Sequence, residues 1–320
     1  MQRGKLITQM ILEKHEKDSC LLSEDTRAQW YEVDAAKLTP ELSERFVQLR
    51  YDQATDEFVK ESALVSDSVC LQIWYGMATA LLSMFLTKTS INGLLNRGQM
   101  FVFSNAHLVE FLQPVLASAS EQPATSHSRS PLTTNPAFTS VNSDRENCVL
   151  DLGAGDGAVT SQLSEFFDHV YATELSLPMQ YRLRQRRFTV VEPSTDWPSL
   201  ARRCRLVSCL NLIDRHSRPV ELLAQLRVVS RESDIPILLA VVLPFSQFAE
   251  FSARYGSVEQ RIAIGGRTFE EQLIEFVERV LRPAGFDVLR WTRLPYLSQG
   301  DLAQAVYVLS DAVMLVKAVV

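Results

Sequence analysis

The sequence predicts an α/β fold: a Rossmann-like, mostly parallel sheet of seven strands with helices on both faces, preceded by a helical N-terminal extension. In the second half of the chain, short apolar runs alternate with helical stretches, a pattern typical of parallel sheets. One apolar run, Cys148–Leu152, leads directly into a glycine-rich turn, Gly153–Gly157. Two late runs, Asp287–Leu294 and Ala305–Val319, are close enough along the chain to form an antiparallel ending.

The N-terminal region, residues 1–116, is predicted to be helical and to pack on the domain that follows. Leu42–Leu95 carries apolar side chains at helical spacing. Within it, Val69–Leu86 resembles a membrane span, but its polar residues favour a buried helix of the globular fold. Thr87–Gly98 is polar and contains glycine, so we expect a loop that could meet a ligand. Asn105 is expected to cap the next helix.

Residues 117–147 are rich in Ser, Thr, Pro and Asn, which predicts a disordered insertion before a single α/β domain at residues 148–320. The predicted strands of that domain, before the antiparallel ending, are Cys148–Leu152, His169–Thr173, Phe188–Val191, Leu206–Leu210 and Ile235–Leu243. The predicted helices are Thr160–Phe167, Pro178–Arg187, Pro219–Val229 and Glu270–Leu281.

Composition and charge argue against a nucleic-acid-binding protein. The chain has 320 residues, 46% of them hydrophobic, which is enough for a sizeable core. A net charge of −6 and a pI near 5.5 give no sign of a nucleic-acid partner, and the basic stretch Arg182–Arg187 is interpreted as a solvated helix face. No signal peptide is visible, so a cytoplasmic location is favoured.

Five cysteines occur in no paired spacing, which predicts a reduced compartment and no zinc or other metal site. Cys70, Cys148 and Cys209 lie in apolar runs and are expected to be small buried hydrophobic residues.

The glycine-rich turn is the first candidate binding site, because glycines let backbone N–H groups approach a ligand closely. Two carboxylates, Asp151 and Asp156, flank the turn and would repel a pyrophosphate. A nucleotide-like ligand with an ammonium and a sulfonium group suits that field better, which indicates S-adenosylmethionine and a methyltransferase. The alternatives are an NAD-dependent oxidoreductase and a non-catalytic cofactor-binding adaptor; a small-molecule methyltransferase also stays open, since fold does not choose substrate.

Polar residues follow the later strands at the same edge of the predicted sheet. Glu174 stands at the spacing of an acid that accepts the ribose hydroxyls, although a surface carboxylate would give the same pattern. Asp196 and Trp197 could contact the adenine, or the indole could simply fill the core. Asn211 and Asp214 could hold a nucleophile beside the methyl group, or cap the helix before Pro219.

Seven segments together resemble the DREV family, also called methyltransferase-like protein nine. They are Thr89–Leu95, Met100–Ser104, Leu150–Gly157, Tyr171–Ser176, Ser208–Leu212, Leu243–Phe245 and Thr292–Leu297. The resemblance runs from about Gln29 to the C-terminus, apart from the insertion, and implies a class I S-adenosylmethionine-dependent methyltransferase domain.

The resemblance also implies a protein-histidine methyltransferase that modifies the N-pros nitrogen of His-x-His motifs in which x is small, and it allows an endomembrane location. The catalytic residues predicted in this way are Asn211, Asp214, Tyr296 and Tyr307. The predicted cofactor-binding residues are Asp151, Gly153, Ala154, Gly155, Glu174, Leu175, Asp196, Trp197 and Asn211.

Overall fold

A computed structural model describes residues 2–118, 145–192, 196–251 and 255–319. The predicted insertion at residues 117–147 falls largely outside these ranges and stays a prediction.

The described strands form one mixed sheet. They are β1 (Met100–Phe101), β2 (Cys148–Leu152), β3 (His169–Thr173), β4 (Thr189–Val191), β5 (Leu206–Leu210), β6 (Ile237–Leu243), β7 (Phe286–Gln299) and β8 (Val306–Ala318). The helices are α1 (Gln2–Leu21), α2 (Glu24–Gln29), α3 (Pro40–Glu44), α4 (Gln53–Asp67), α5 (Val69–Leu82), α6 (Lys88–Leu95), α7 (Asn105–Ser118), α8 (Ala158–Ser164), α9 (Leu177–Gln185), α10 (Trp197–Ala201), α11 (Pro219–Ser233) and α12 (Phe269–Phe276). A single turn of 3-10 helix spans Ala35–Lys37, and a π-helical turn at Val277–Leu281 extends α12.

The strand order is β1-β7-β8-β6-β5-β2-β3-β4. Strands β2 to β6 pair in parallel, whereas β8 lies antiparallel between β6 and β7. The predicted mostly parallel sheet with an antiparallel ending is therefore confirmed. The described sheet has eight strands rather than the predicted seven, because Met100–Phe101 pairs with the end of β7.

Helices cover both faces of the sheet, and adjacent residues of β2 show this directly. Leu150 packs in a core with side chains of α10, α11 and α12, whereas Val149 packs in a second core with side chains of α4, α7 and α8. A strand buried on both faces gives a mostly apolar run, which is why β2 and β5 have the bounds that the sequence predicts. Strand β3 also has its predicted bounds, although its first residue, His169, is exposed.

The N-terminal region contacts the late strands of the sheet. The indole N–H of Trp291, fully buried on β7, donates to the carbonyl of Leu42 at 2.7 Å, and the backbone N–H of Val47 donates to the carbonyl of Trp291 at 2.8 Å. The predicted helical stretch Leu42–Leu95 is interrupted here, because residues 46–52 are not helical and Phe46 forms a β-bridge with Trp291.

The expectation of a buried helix at Val69–Leu86 is wrong. Helix α5 forms at Val69–Leu82, but its buried residues are Gln72 and Tyr75, and most of its large apolar side chains are exposed. No helix within the described residues combines the length and the hydropathy that a membrane crossing requires.

The expectation of a loop at Thr87–Gly98 is also wrong, because this stretch forms α6. The Thr87 hydroxyl accepts from the Ser90 N–H at 3.2 Å and caps the helix, and Asn96 ends it in the left-handed conformation. A glycine stands at position 93, inside α6, because α9 packs closely there: a Cβ would lie 3.0 Å from Met179 Sδ.

Asn105 is the first residue of α7 rather than its cap. The Ser104 hydroxyl accepts from the N–H of His107 at 3.1 Å and takes the capping role one residue earlier.

The interpretation of the cysteines needs two corrections. Cys148 and Cys204 form a disulfide, because Cys148 begins β2 and Cys204 lies two residues before its neighbour β5. A separation of 56 residues hides this proximity in the sequence. Cys70 is exposed, whereas Cys209 is buried as expected.

Candidate functional site

The glycine-rich turn connects β2 to α8 and is fixed to the end of β3. The N–H groups of Gly153 and Ala154 both donate to the carbonyl of Thr173 at 3.0 Å. Gly153 has a φ of +73°, and a Cβ there would lie 2.8 Å from Leu212 Cδ1. Gly155 has a φ of +58°, and a Cβ there would meet nothing within 4 Å. The turn is therefore closely packed at Gly153 and open at Gly155.

Asp151, near the end of β2, holds the glycine-rich turn in place through hydrogen bonds. Its carboxylate accepts from the hydroxyls of Thr160 on α8 and Ser208 on β5, each at 2.6 Å. Burial raises the pKa of Asp151 to about 6, although the two hydroxyls oppose the rise. Because both oxygens bind buried hydroxyls, Asp151 ties the turn to the neighbouring strand and adds negative charge beneath it.

Glu174 follows β3 and lies beside the same turn. Its carboxylate accepts from the N–H of Gly155 at 3.0 Å and from the N–H of Ser176 at 2.7 Å. Burial raises the pKa of Glu174, and the backbone donors act in the opposite direction. The carboxylate is thus held at the open part of the turn with lone pairs left for further donors.

Helix α6 lies against this side of the site. The hydroxyls of Ser90 and Ser176 are 3.0 Å apart, and the N–H of Thr89 donates to Glu250 at 3.1 Å. The stretch expected to be a ligand-contacting loop therefore reaches the neighbourhood of Glu174 as a helix.

Three predicted cofactor residues have other surroundings. The exposed carboxylate of Asp196 caps α10 by accepting from the Ser199 N–H at 3.4 Å. Trp197 is buried in the core that contains Leu150, as the alternative interpretation of this residue requires. The side chain of Leu175 is 57% exposed.

Asn211 and Asp311 form a pair at the end of β5. Asn211 has a φ of +53°, and its amide donates to the Asp311 carboxylate at 2.8 Å. Asp311 is fully buried on β8, and this burial raises its pKa to about 7, with repulsion from Asp214 adding to the rise.

Asp214 lies three residues beyond Asn211 and is also buried. One carboxylate oxygen contacts Arg215 Nε at 3.0 Å, and the backbone carbonyl accepts from the N–H of Phe248 at 2.8 Å. Burial raises the pKa of Asp214 to about 6, and the Arg215 charge opposes the rise. Neither Asn211 nor Asp214 caps α11, whose N-cap, Arg218, makes no side-chain capping bond.

The two tyrosines lie on the strands next to this pair. Tyr296 on β7 is half-buried and donates its hydroxyl to Met100 Sδ. Burial raises the pKa of Tyr296, and the charges of Asp311 and Asp214 raise it further. Tyr307 on β8 is 40% exposed and donates to Asp301 at 3.0 Å. Tyr296 is thus close enough to both carboxylates for their charges to raise its pKa, whereas Tyr307 lies four residues before Asp311 on β8.

Three oxygen acceptors in this cluster are buried and have no hydrogen-bond partner among the described residues: Asn211 Oδ1, Asp214 Oδ1 and Asp311 Oδ1. Buried polar atoms are normally paired, so three unsatisfied acceptors in one cluster indicate a site for a donor-bearing or cationic group. We call Asn211, Asp214 and Asp311 the acceptor cluster.

Asp311 is the functional candidate that the sequence interpretation missed. The available signal was a single carboxylate inside the mostly apolar run Ala305–Val319. An acid at the centre of a buried strand is costly unless it serves a specific purpose.

A model of the DREV methyltransferase family matches residues 30–318. The chain belongs to this family. The resemblance seen in the sequence is therefore confirmed, and so are the methyltransferase class, its fold and its S-adenosylmethionine cofactor.

Solved structures with similar folds include two methyltransferases. One is a 1,6-didemethyltoxoflavin-N1-methyltransferase from Burkholderia thailandensis, with 20% identity over 55% of this chain and 72% of that chain and a TM-score of 0.35. The other is the magnesium protoporphyrin IX methyltransferase from Synechocystis PCC 6803, with 16% identity over 54% of this chain and 75% of that chain and a TM-score of 0.31.

Proposed function

We propose that the protein is an S-adenosylmethionine-dependent protein-histidine methyltransferase that modifies the N-pros nitrogen of His-x-His motifs in which x is small. The observation that carries this proposal is the acceptor cluster, in which three buried oxygens have no donor within the described part of the chain. A neutral imidazole offers one N–H to such a cluster, and a methylated ring that still holds this proton is a cation.

The glycine-rich turn and Glu174 fit the methyl donor. Open space at Gly155 admits a ligand close to the backbone, and the fixed Glu174 carboxylate can accept from two ribose hydroxyls. Asp151 adds negative charge under a ligand that carries a sulfonium. When bound, S-adenosylmethionine supplies an electrophilic methyl group.

The acceptor cluster selects the ring nitrogen that reacts. Asp214, with Asn211 beside it, accepts the N–H of the far imidazole nitrogen, so that the lone pair of the near nitrogen is free. Free imidazole has a pKa near ~6.5 and is mostly neutral at cellular pH, so no strong base is needed to start the reaction.

The cluster also stabilises positive charge on the ring. Burial raises the pKa of Asp214 to about 6 and that of Asp311 to about 7, and a cationic ring beside them favours their ionised forms. The acceptor oxygens are positioned before the substrate arrives, which makes them effective in a buried site. The tyrosines contribute the wall of the pocket, and a small x residue lets the peptide backbone approach that wall.

The test is a peptide assay with an isotopically labelled methyl donor and mass spectrometry that identifies the modified ring nitrogen. We expect a His-Ala-His peptide to be methylated, and a peptide with a bulky central residue or with the histidines replaced by alanine to react poorly. Asp214→Asn and Asn211→Ala are expected to lower the rate at least ~10-fold while donor binding is retained.

Asp234→Asn is the matched control, since Asp234 is an 80% exposed carboxylate in the left-handed conformation that Asn tolerates. Normal rates in both cluster variants, with intact binding of S-adenosylhomocysteine, would remove the cluster from the mechanism. Donor binding without methylation of any His-x-His peptide would contradict the proposed substrate.

A further inference from the structure

Helix α5 presents its apolar side to the outside of the protein and its polar side to the inside. At 100° per residue, Ile73, Trp74, Met77 and Leu81 fall within one stripe about 100° wide. Met84 and Phe85, in the turn that follows, continue it. All six side chains are more than half exposed, with Phe85 reaching 80%. We call these six residues the α5 face.

The polar groups of α5 are directed inward and bind other parts of the protein. Gln72 is buried and donates to the carbonyl of Val65 at 2.9 Å. The ring of Tyr75 lies under the guanidinium of Arg97 at 5.1 Å, and this guanidinium donates to the Thr79 hydroxyl at 3.4 Å. The polar groups on the inward side of α5 therefore have partners within the protein, whereas the apolar side chains on its outward side are exposed.

The chemistry of the α5 face narrows the choice of that environment. Val69–Leu86 contains no charged residue over 18 positions. The only hydrogen-bonding side chain of the face is the indole of Trp74, at the margin of the stripe. Protein interfaces carry about one hydrogen bond per 100–200 Å². A face with a single donor is better matched to hydrocarbon.

The α5 face is larger than the apolar patch of a typical monomer. With exposed fractions of 52–80%, its six large side chains present on the order of 750 Å², against about 300–600 Å² for the largest patch on most monomers. Two such faces would bury on the order of 1,500 Å², an area that a stable interface could also have, so the near absence of hydrogen-bonding groups is what favours hydrocarbon over a second protein surface. A bilayer accepts such a face because the helix needs only to sink its apolar stripe to the level of the acyl chains.

We propose that the α5 face inserts into one leaflet of a lipid bilayer and attaches the protein to the membrane surface. The helix lies in the plane of the interface, with Trp74 at the level of the headgroups. Because the face is uncharged, binding depends on apolar burial and not on anionic lipid. This inference is independent of the proposed histidine substrate.

The test uses the exposure of one tryptophan. Of the four tryptophans, Trp74 is 52% exposed, whereas Trp30, Trp197 and Trp291 are buried. We expect the protein to float with phosphatidylcholine vesicles, and phosphatidylcholine with brominated acyl chains to quench its tryptophan fluorescence. Trp74→Phe should abolish most of the quenching. Raising the salt concentration or adding phosphatidylserine should change flotation less than twofold.

Met77→Glu is expected to reduce vesicle binding at least tenfold, whereas Val228→Glu, a charge at an exposed valine on α11, should leave it unchanged. Phe85→Ser, in the turn after the helix, repeats the test where no helical residue is altered. Methylation of a soluble peptide should be equal in all these variants. Absence of flotation by the folded wild-type protein, or equal flotation of Met77→Glu, would overturn the proposal. So would a dimer in solution that Met77→Glu converts to a monomer, since the occupant would then be a second copy.

Discussion

Replacing Asp311 with Asn should make the protein more stable at neutral and alkaline pH while lowering its activity. Asp311 is fully buried, and its pKa rises from 3.8 to about 7 because burial disfavours its charged form. The folded protein therefore binds the proton more tightly than the unfolded chain between about pH 4 and pH 7. The free energy of unfolding consequently falls as the pH rises through this window.

The pKa difference sets the size of the effect. A pKa of about 7 against 3.8 corresponds to about 4 kcal/mol of lost stability once Asp311 is ionised in both states. Between pH 5 and pH 8 the wild-type protein should lose roughly 2–3 kcal/mol relative to Asp311→Asn, which has no proton to release. The amide keeps one acceptor for Asn211 but removes the charge, so methylation should fall ~10–100-fold.

The assay is urea denaturation of both proteins at pH 5, 6, 7 and 8, with Asp234→Asn as a control for an exposed carboxylate. We expect the difference in unfolding free energy between wild type and Asp311→Asn to widen with pH and, at pH 8, to exceed the difference for the control. A constant difference across this range would refute the reasoning, because it would mean that Asp311 does not titrate there in the folded protein.

Three further variants test the cofactor side and the packing of the fold. Glu174→Gln should weaken binding of S-adenosylhomocysteine ~10–100-fold in calorimetry, through the loss of a charged acceptor; an unchanged affinity would exclude the ribose role. Trp291→Phe should cost about 2–3 kcal/mol in urea denaturation, because it leaves the Leu42 carbonyl unpaired and opens a cavity; a loss below ~0.5 kcal/mol would contradict this. Gly93→Ala should lower the unfolding free energy by about 1 kcal/mol, since its Cβ would lie 3.1 Å from the backbone nitrogen of Met179, which moves only with α9; a stabilised protein would show that α6 and α9 can separate at little cost.

The strands and the turn at the cofactor side were predictable because their signals are local. Parallel strands buried on both faces give mostly apolar runs, and β2 and β5, like the partly exposed β3, have the predicted bounds. The positive φ values of Gly153 and Gly155 are likewise expected of a glycine-rich turn.

The features that escaped prediction depend on tertiary contacts. Asp311 lies 100 residues from Asn211 along the chain and on an antiparallel strand, so no motif joins them. The Cys148–Cys204 disulfide follows from the pairing of β2 with β5, which spacing alone does not reveal. The apolar composition of α5 predicts that its side chains are buried. It does not reveal whether the rest of the protein buries them.

The close approach of Gly153 to Leu212 affects the choice of a catalytically inactive variant. Leu212 follows Asn211 directly, so a side chain added at position 153 would push against the Leu212 side chain in the loop that carries Asn211 and Asp214. Loss of methyl transfer in such a variant could therefore not be attributed to the loss of S-adenosylmethionine binding alone. At position 155 the backbone is also left-handed, but an added Cβ would have no contact within 4 Å, so an asparagine there would disturb the cofactor side of the site and leave the loop with Asn211 and Asp214 in place.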